Sequence, residues 1–463
     1  MKPIVLLPDG VGIRNFMFGP FLSILAGEGG GLILHTIPEA CQAEYVDAWK
    51  GRFQWGMLAA YRESALASTL RYALAYAQMF WADTQSMRIQ RSAKPRGSPG
   101  RRLKLRAARS LGRVLATPGG MRFLDRWHCR EVAKVPQVAE YRRLFAQMKA
   151  SVLFCSHQRP LEILPAVLAA RSLGIPSATF IFSWDNLTSK GRIAAPFEHY
   201  AVWSELMRQE LLEYYPDVAA QRAHVVGTPQ FDPYADASLL WSREEFFRVI
   251  GGDAARPLIC YSGGDAGGCP EDPRHVEVLL GLVRSGQIRG RPQVLVRPTP
   301  VDDGSRYRAV REQYPEMIFA QPAWVHAEPG NWARCIPRAE DVRFLANLTQ
   351  HADLNVNFAS TMTLDFAIHD RPVVNVAFDV ASPPPLGRPI WDFYGFDHYR
   401  PVVEMGAARS ARSPWQLAEQ VNRYLDDPGL EHRERRRFVE LEVGVPIGQS
   451  SGRVVETLKR ISA

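Results

Sequence analysis

Cysteine is scarce in this chain, and its spacing suggests neither metal binding nor a disulfide framework. The 463 residues contain six cysteines, and no two of them form a Cys-X-X-Cys pair. This pattern disfavours structural zinc and fits a reducing cytoplasm. Long apolar runs are also missing: no stretch of about 18 uncharged apolar residues occurs, and the opening MKPIVLLPDG is too short for a signal peptide. We therefore expect a cytoplasmic protein without a transmembrane helix.

The standard phosphate-binding and metal-binding signatures are absent too. The first predicted strand ends in Gly10-Val11-Gly12, which is only a fragment of the GxGxxG fingerprint. A second glycine-rich loop, 262–268, is not followed by the GK[ST] of a Walker A loop. No DxD motif occurs in a loop, since Asp302 and Asp303 are adjacent rather than spaced as metal ligands. The sequence predicts neither a bound metal nor a tightly bound cofactor.

Composition indicates an ordinary globular protein of two domains. Hydrophobic residues make up 46% and charged residues 22% of the chain. The net charge of +8 favours an anionic partner, such as a nucleotide, a nucleic acid or an acidic membrane surface. No nucleic-acid-binding module surrounds the basic residues, so we expect no nucleic acid partner.

Short apolar strands alternate with helices at the start of the chain and again from Ser151 onwards, which predicts two Rossmann-like α/β domains. We place them at 1–235 and 236–463, with a linker at 227–237. Residues 44–140 show a helical pattern without a clear strand and form a predicted insertion in the first domain.

The insertion contains a strongly basic segment. Residues 94–113 include eight lysines and arginines, among them Arg96, and no acidic residue. Aromatic residues lie nearby, between Tyr76 and Trp81. A basic helix flanked by aromatics suits an anionic membrane surface, although a solvated face with a flexible loop would give the same pattern.

Two candidate bases each follow a predicted strand of the first domain. His157 comes after 151–156, and Asp185 comes after the strand 177–182, in the cluster Trp184-Asp185-Asn186. The carboxyl ends of parallel strands are where α/β proteins bind ligands. We predict Asp185 as the general base and His157 as its competitor; a structural histidine and an Asx turn or helix cap are the alternatives. The residues that we expect on the acceptor side of the site are Gly12, Arg14, Asn186 and Lys190.

The second domain offers a candidate phosphate site at the end of a short predicted strand in the stretch 351–359. The loop that follows leads into a helix, whose free N–H groups and positive dipole end suit a phosphate. Asp365 is placed to accept from a ribose, although helix capping and first-turn charge explain the same residues. Arg297 ends another strand and could pair with a phosphate or form a surface salt bridge. The predicted donor-binding residues are Ser262, Gly263, Gly264, Arg297, Ser360, Thr361, Met362, Thr363 and Asp365.

Four segments occur in the order found in one enzyme family. They are FSWDNLTSK at 182–190, GTPQFD at 227–232, LVRPTP at 295–300 and NFASTMTLDFA at 357–367. From Ser151 to its end the chain resembles GT-B glycosyltransferases, and within them the CDP-glycerol glycerophosphotransferase and capsule-polymer transferase group. The resemblance implies two Rossmann-like domains facing a cleft, with an acceptor-binding first domain and a nucleotide-binding second domain. It also implies metal-independent transfer from a nucleotide-sugar in bacterial surface polysaccharide synthesis, at the inner face of the plasma membrane.

The departures from that family affect the expected chemistry. Asp185 stands where the family has its catalytic histidine, and Thr299 stands where it has the histidine implied to contact a donor phosphate. Both changes argue against a glycerol-phosphate transferase and favour sugar transfer to a glycan or lipid-linked acceptor. A polyol-phosphate transferase and a non-catalytic nucleotide-binding protein of the same fold are the alternatives.

Overall fold

The computed structural model describes residues 1–95, 97–326 and 335–463, and it divides them into two compact units. The first unit contains Met1–Asp232 together with Glu442–Ala463, and the second contains Pro233–Leu441. The predicted second domain, 236–463, differs from this unit at its carboxyl end. The last helix packs on the first sheet, and the Asp232 carboxylate accepts from the N–H groups of Ser450 and Ser451 at 3.1 and 2.8 Å. These contacts join residues that are far apart in the sequence, so no local sequence pattern predicts them.

A parallel sheet of seven strands forms the core of the first unit, in the order β3-β2-β1-β4-β5-β6-β7. Its strands are β1 (Pro3–Leu7), β2 (Leu32–His35), β3 (Gln54–Met57), β4 (Val152–Cys155), β5 (Ser177–Phe180), β6 (His199–Val202) and β7 (Ala223–Val225). The four central strands β1, β2, β4 and β5 are fully buried. Strand β3 corrects the prediction of an insertion without strands. It is a partly exposed edge strand, so it lacks the apolar pattern of its neighbours.

Helices cover this sheet and form the insertion. They are α1 (Gly10–Met17), α2 (Phe21–Gly27), α3 (Glu39–Tyr45), α4 (Ala65–Ala82), α5 (Gln85–Ser92), α6 (Pro99–Val114), α7 (Pro118–Val132), α8 (Pro136–Met148), α9 (Leu164–Ser172), α10 (Asn186–Ser189) and α11 (Glu205–Tyr214). Helices α4, α6 and α7 share a small apolar core that includes Leu70 and Met121. Gly112 lets α6 approach α4, because a Cβ there would lie 2.6 Å from the Ala73 carbonyl oxygen. The predicted helical insertion is confirmed.

The second unit is built on a parallel sheet of six strands, in the order β10-β9-β8-β13-β14-β15, with a separate antiparallel pair β11–β12. The strands are β8 (Leu258–Ser262), β9 (Gln293–Arg297), β10 (Ile318–Phe319), β11 (Trp324–His326), β12 (Cys335–Pro337), β13 (Leu354–Asn357), β14 (Val373–Val376) and β15 (Arg409–Ala411). The helices are α12 (Arg243–Ile250), α13 (Asp272–Arg284), α14 (Arg308–Gln313), α15 (Ala339–His351), α16 (Met362–Ile368), α17 (Arg400–Glu404), α18 (Pro414–Asp426) and α19 (His432–Val443). The chain ends with α20 (Ser450–Ser462), which returns to the first unit.

The two sheets confirm the predicted α/β class with two Rossmann-like units. In each unit the central strands are buried and helices connect neighbouring parallel strands, as the alternation in the sequence requires. No helix within the described residues is long and apolar enough to span a bilayer.

Candidate functional site

Three neighbouring strands of the first sheet bring their polar carboxyl ends together. Asp9 follows β1, His157 follows β4 and Asp185 follows β5, and these strands are adjacent in the sheet. Parallel strands end at the same edge, so the fold collects these side chains from distant parts of the sequence. This edge is the candidate site of the first unit.

His157 and Asp9 form a buried pair. The His157 Nδ1 atom contacts Asp9 Oδ2, and the other Asp9 oxygen accepts from the N–H of Gly12 at 2.9 Å, capping α1. Burial opposes ionisation of Asp9. Its pKa is nevertheless below the ordinary value, because the His157 imidazole and the N–H groups of Gly12 and Val11 stabilise the carboxylate. Asp9 therefore holds a proton on Nδ1 and fixes the orientation of the ring.

The other ring nitrogen of His157 has no hydrogen-bond partner among the described residues, although it is buried. Phe182 packs against the ring with a centroid distance of 4.0 Å. Buried polar atoms usually find a partner, so an unpaired one calls for an explanation. An imidazole whose Nδ1 faces a carboxylate and whose Nε2 is unoccupied has the geometry of a general base.

Asp185 has a different environment. Its carboxylate accepts from Ser183 Oγ at 2.6 Å, Asn186 Nδ2 at 2.9 Å and Ser189 Oγ at 2.7 Å, and Lys190 Nζ lies 3.5 Å away. These donors engage both carboxylate oxygens, so the carboxylate is well suited to hold its neighbours in place. The role of Asp185 as the base stays a prediction, and the contacts favour His157.

The predicted acceptor-side residues lie at this edge with structural partners. Gly12 is required for packing, because a Cβ there would lie 2.2 Å from Ser156 Oγ. Arg14 donates to Gln230 Oε1 at 2.7 Å, and Asn186 accepts from Gln158 Nε2 at 2.8 Å. These contacts account for Gly12, Arg14 and Asn186 without a substrate, so their acceptor roles stay predictions.

Asp9 is the residue that the sequence reasoning missed. Only the neighbouring Gly10-Val11-Gly12 was singled out from the sequence, as a fragment of the GxGxxG fingerprint, and Asp9 was given no role. The rule that selected His157 and Asp185, a polar side chain just beyond a buried strand, applies equally to Asp9. Its partnership with His157 depends on the pairing of β1 with β4, across 148 positions of sequence.

The glycine loop of the second unit packs against protein. A Cβ on Gly263 would lie 2.5 Å from the Tyr307 hydroxyl, and one on Gly264 would lie 2.2 Å from Cys269 Sγ. Ser262 is buried, and its Oγ accepts from Asn355 Nδ2 at 2.7 Å. Gly263 and Gly264 were predicted to bind the donor; internal packing already explains why these positions carry no side chain, so their role in donor binding stays a prediction.

Arg297 has a buried partner rather than a free guanidinium. Its Nη2 atom donates to both oxygens of Asp341 at 2.9 Å, and the two side chains are 7% and 6% exposed. Asp341 also accepts from the Ala323 N–H and from Trp324 Nε1. This differs from both sequence alternatives, a phosphate contact and a surface salt bridge. Its role in phosphate binding stays a prediction without support from these contacts.

The predicted loop between strand and helix exists, from the end of β13 to the start of α16. Ala359 adopts the left-handed conformation with φ 39°, the Ser360 N–H donates to Asn357 Oδ1, and Ser360 Oγ accepts from the Met362 N–H. Thr361 is exposed at the tip. Ser360, Thr361 and Met362 are therefore the accessible part of this loop.

Thr363 and Asp365 lie inside the second unit. The Thr363 hydroxyl is bonded to Asn357 Nδ2 at 3.1 Å and to the Tyr399 hydroxyl at 2.8 Å, and Asp365 accepts from the Tyr234 hydroxyl. Both residues are buried. Asp365 was expected to face a ribose, and its burial against Tyr234 gives it a structural partner instead.

Comparison with known proteins identifies the fold. No protein-family model and no curated protein matches the chain. The UDP-GlcNAc 2-epimerase of Methanocaldococcus jannaschii aligns with a TM-score of 0.52 and 11% identity, covering 99% of this chain and 100% of that one. The Neisseria meningitidis UDP-GlcNAc 2-epimerase bound to UDP-GlcNAc gives 0.53 and 9%, with the same coverage. The wall teichoic acid polymerase TagF, with a TM-score of 0.45 and 12% identity, covers 68% of this chain and 73% of that one. These whole-chain similarities to the two epimerases confirm the GT-B fold predicted from the sequence.

Proposed function

We propose that this protein is a glycosyltransferase that moves a sugar from a nucleotide-sugar to a hydroxyl group of a glycan or lipid-linked acceptor. The observation that carries the proposal is the buried Asp9–His157 pair, whose Nε2 atom lacks a partner among the described residues. The N. meningitidis structure of the same fold is bound to UDP-GlcNAc, which supports a nucleotide-sugar as the donor.

In the proposed reaction His157 removes the proton of the acceptor hydroxyl. The oxygen attacks the anomeric carbon of the donor sugar, the bond from that carbon to the diphosphate oxygen breaks, and the nucleoside diphosphate leaves with the bonding electrons. Asp9, a positioning residue, keeps the ring in the correct tautomer and stabilises the imidazolium that forms. General-base catalysis of this kind contributes about 10²–10⁴-fold in rate.

For the donor, we propose the accessible loop at the carboxyl end of β13. Thr361 supplies a backbone N–H, and Ser360 and Thr361 supply hydroxyls, at the start of α16. These groups would stabilise the charge that develops on the departing diphosphate. We assign no direct phosphate contact to Arg297, because its guanidinium is already paired with the Asp341 carboxylate.

A peripheral membrane location would suit a lipid-linked acceptor, and α6 supports it. Its outer face carries exposed Arg102 and Arg106 next to Leu103 and Val114, which are 69% and 77% exposed. Arginines beside exposed apolar side chains are the combination that adsorbs to anionic bilayers. Arg96, which belongs to the same basic run in the sequence, lies outside the described residues.

The function is tested by the product released from a panel of nucleotide-linked substrates. We expect the purified protein to release a nucleoside diphosphate from one nucleotide-sugar, faster when a glycan or lipid-linked acceptor is added, and equally well with a metal chelator present. CMP release from CDP-glycerol would assign polyol-phosphate transfer instead. An epimerised sugar nucleotide would assign epimerisation, and binding without turnover would assign a non-catalytic role; each of these three results contradicts the proposal.

A further inference from the structure

The helical insertion of the first unit lines one side of a partly open cavity of about 380 Å³. Helices α4 and α7 and the segment 190–194 supply most of its walls. One side is apolar, with Leu74, Ala75, Met79 and Leu105. The remaining lining includes Arg71, Arg159, Lys190 and Arg192 but only one carboxylate, Asp125. The cavity therefore combines an apolar wall with an excess of positive charge.

Arg159 is the cation in this cavity that lacks a counter-ion in contact. Within the described residues its guanidinium forms no hydrogen bond and no salt bridge, whereas Arg71 pairs with Glu63 and Arg192 with Asp125. The side chain of Arg159 is accessible, as expected for a group that faces a cavity. Desolvation by the surrounding protein lowers the pKa of Arg159, and the nearby Asp185 and Tyr215 offset this only in part.

A second polar group of the cavity is also unsatisfied. His128, on α7, is 3% exposed, and its Nε2 atom is buried without a partner in the described part of the chain. Burial lowers the pKa of His128, so at neutral pH the ring is uncharged and able to exchange a hydrogen bond with a ligand. A buried imidazole without a partner is unusual for a cavity that serves only packing, and the exposed guanidinium of Arg159 in the same lining is available to a ligand.

We infer that this cavity binds an organic phosphate carried on an apolar group, with Arg159 and Lys190 holding the phosphate and the wall of α4 covering the apolar part. A guanidinium pairs with phosphate through charge-assisted hydrogen bonds, and Lys190, 3.5 Å from Asp185, is a second cation of the lining. Inorganic phosphate would leave the apolar wall unused, and an uncharged lipid would leave the cations unpaired.

The cavity adjoins the proposed catalytic edge. Arg159 is two residues beyond His157 in the chain. Asp185 is the N-cap of helix α10 and Lys190 is its C-cap. The assignment of this ligand as the acceptor rests on the proposed function, but its binding does not, and binding is what the experiment measures.

The test is equilibrium binding of octyl phosphate, below its micelle concentration, to the full chain. We expect Arg159→Gln to weaken binding about ten-fold or more, the effect of losing one charge-assisted contact. Met79→Glu, which places a negative charge on the apolar wall, should weaken it as well. The matched control is Arg171→Gln, an exposed arginine of the same unit outside the cavity, and it should bind as the wild type does.

Two further probes test the phosphate site and the apolar site separately. Octanol and inorganic phosphate, used alone, should each bind at least ten-fold more weakly than octyl phosphate. Equal binding of octanol would overturn the phosphate site, and equal binding of inorganic phosphate would overturn the apolar site. Absence of octyl phosphate binding, or its persistence in Arg159→Gln, would overturn the inference even if sugar transfer is observed, so the two proposals fail separately.

Discussion

Replacing Asp341 by alanine should strongly destabilise the second unit. The substitution leaves the buried Arg297 guanidinium without its carboxylate and removes the acceptor of the Ala323 N–H, at 2.8 Å, and of Trp324 Nε1, at 2.7 Å. Breaking a buried ion pair from one side costs about 3–5 kcal/mol, because a desolvated charge remains without compensation. We expect the free energy of unfolding of the second unit to fall by about that amount.

The measurement is hydrogen exchange of peptides from β8, β9 and β13, which does not require the whole chain to unfold as one. The double variant Arg297→Met/Asp341→Leu removes both charges and should cost less than either single change, since apolar replacements of a buried pair are often tolerated. A change of less than about 0.5 kcal/mol in Asp341→Ala, the range of ordinary surface substitutions, would refute the reasoning.

The stability that the Arg297–Asp341 pair contributes should depend on pH. Burial opposes ionisation of Asp341, yet Arg297, the Ala323 N–H and Trp324 hold its pKa below the ordinary value of 3.8. The pair therefore contributes stability that is present above pH 3.8 and is lost as the pH falls through the lower, folded-state pKa. Exchange protection in the second unit of the wild type should decline in that range, and the double variant should lack this component.

Four other outcomes follow from the structure. Asp9→Asn should lower turnover about 10²–10⁴-fold at unchanged nucleotide affinity, because the histidine loses its orienting carboxylate. Asp185→Asn should lower turnover by less than about ten-fold, the scale of a single hydrogen bond. A larger loss of turnover in Asp185→Asn than in Asp9→Asn would show that Asp185, not His157, is the general base. Binding to anionic vesicles through α6 should fall as salt rises, and equal binding to neutral vesicles at high salt would contradict it. Burial and neighbouring cations lower the pKa of His199 and His224 to about 4. Because both histidines bind a proton more readily in the unfolded chain, wild-type stability, measured by denaturant unfolding, should fall as the pH drops from 6.5 to 4. His224→Gln should make this decline less steep.

The sequence predicted those parts of the fold and site that depend on local patterns. Buried strands followed by polar residues identified His157 and Asp185, and the helix break before Met362 identified the loop at the end of β13. The fold class follows from the alternation of strands and helices in the same way. The positions of these residues could be predicted because the carboxyl ends of parallel strands meet at one edge of the sheet.

Features set by distant contacts could not be predicted. Arg297 and Asp341 are 44 positions apart, and Tyr234 and Asp365 are 131 apart, so nothing local indicates that each pair is buried together. Position 264 must be a glycine because the loop that follows it places Cys269 Sγ where a side chain would lie. In each case the sequence shows a residue type suited to ligands, and tertiary packing provides it with a protein partner.

The most direct test of the account is the turnover of His157→Gln with the best nucleotide-sugar, beside its affinity for the nucleotide. His199→Gln is the matched control, because His199 begins β6 and lies at the opposite edge of the same sheet. We predict that His157→Gln loses about 10²–10⁴-fold in turnover while nucleotide affinity and the control stay near wild type. Turnover near wild type in His157→Gln would show that the Asp9–His157 pair is not the base.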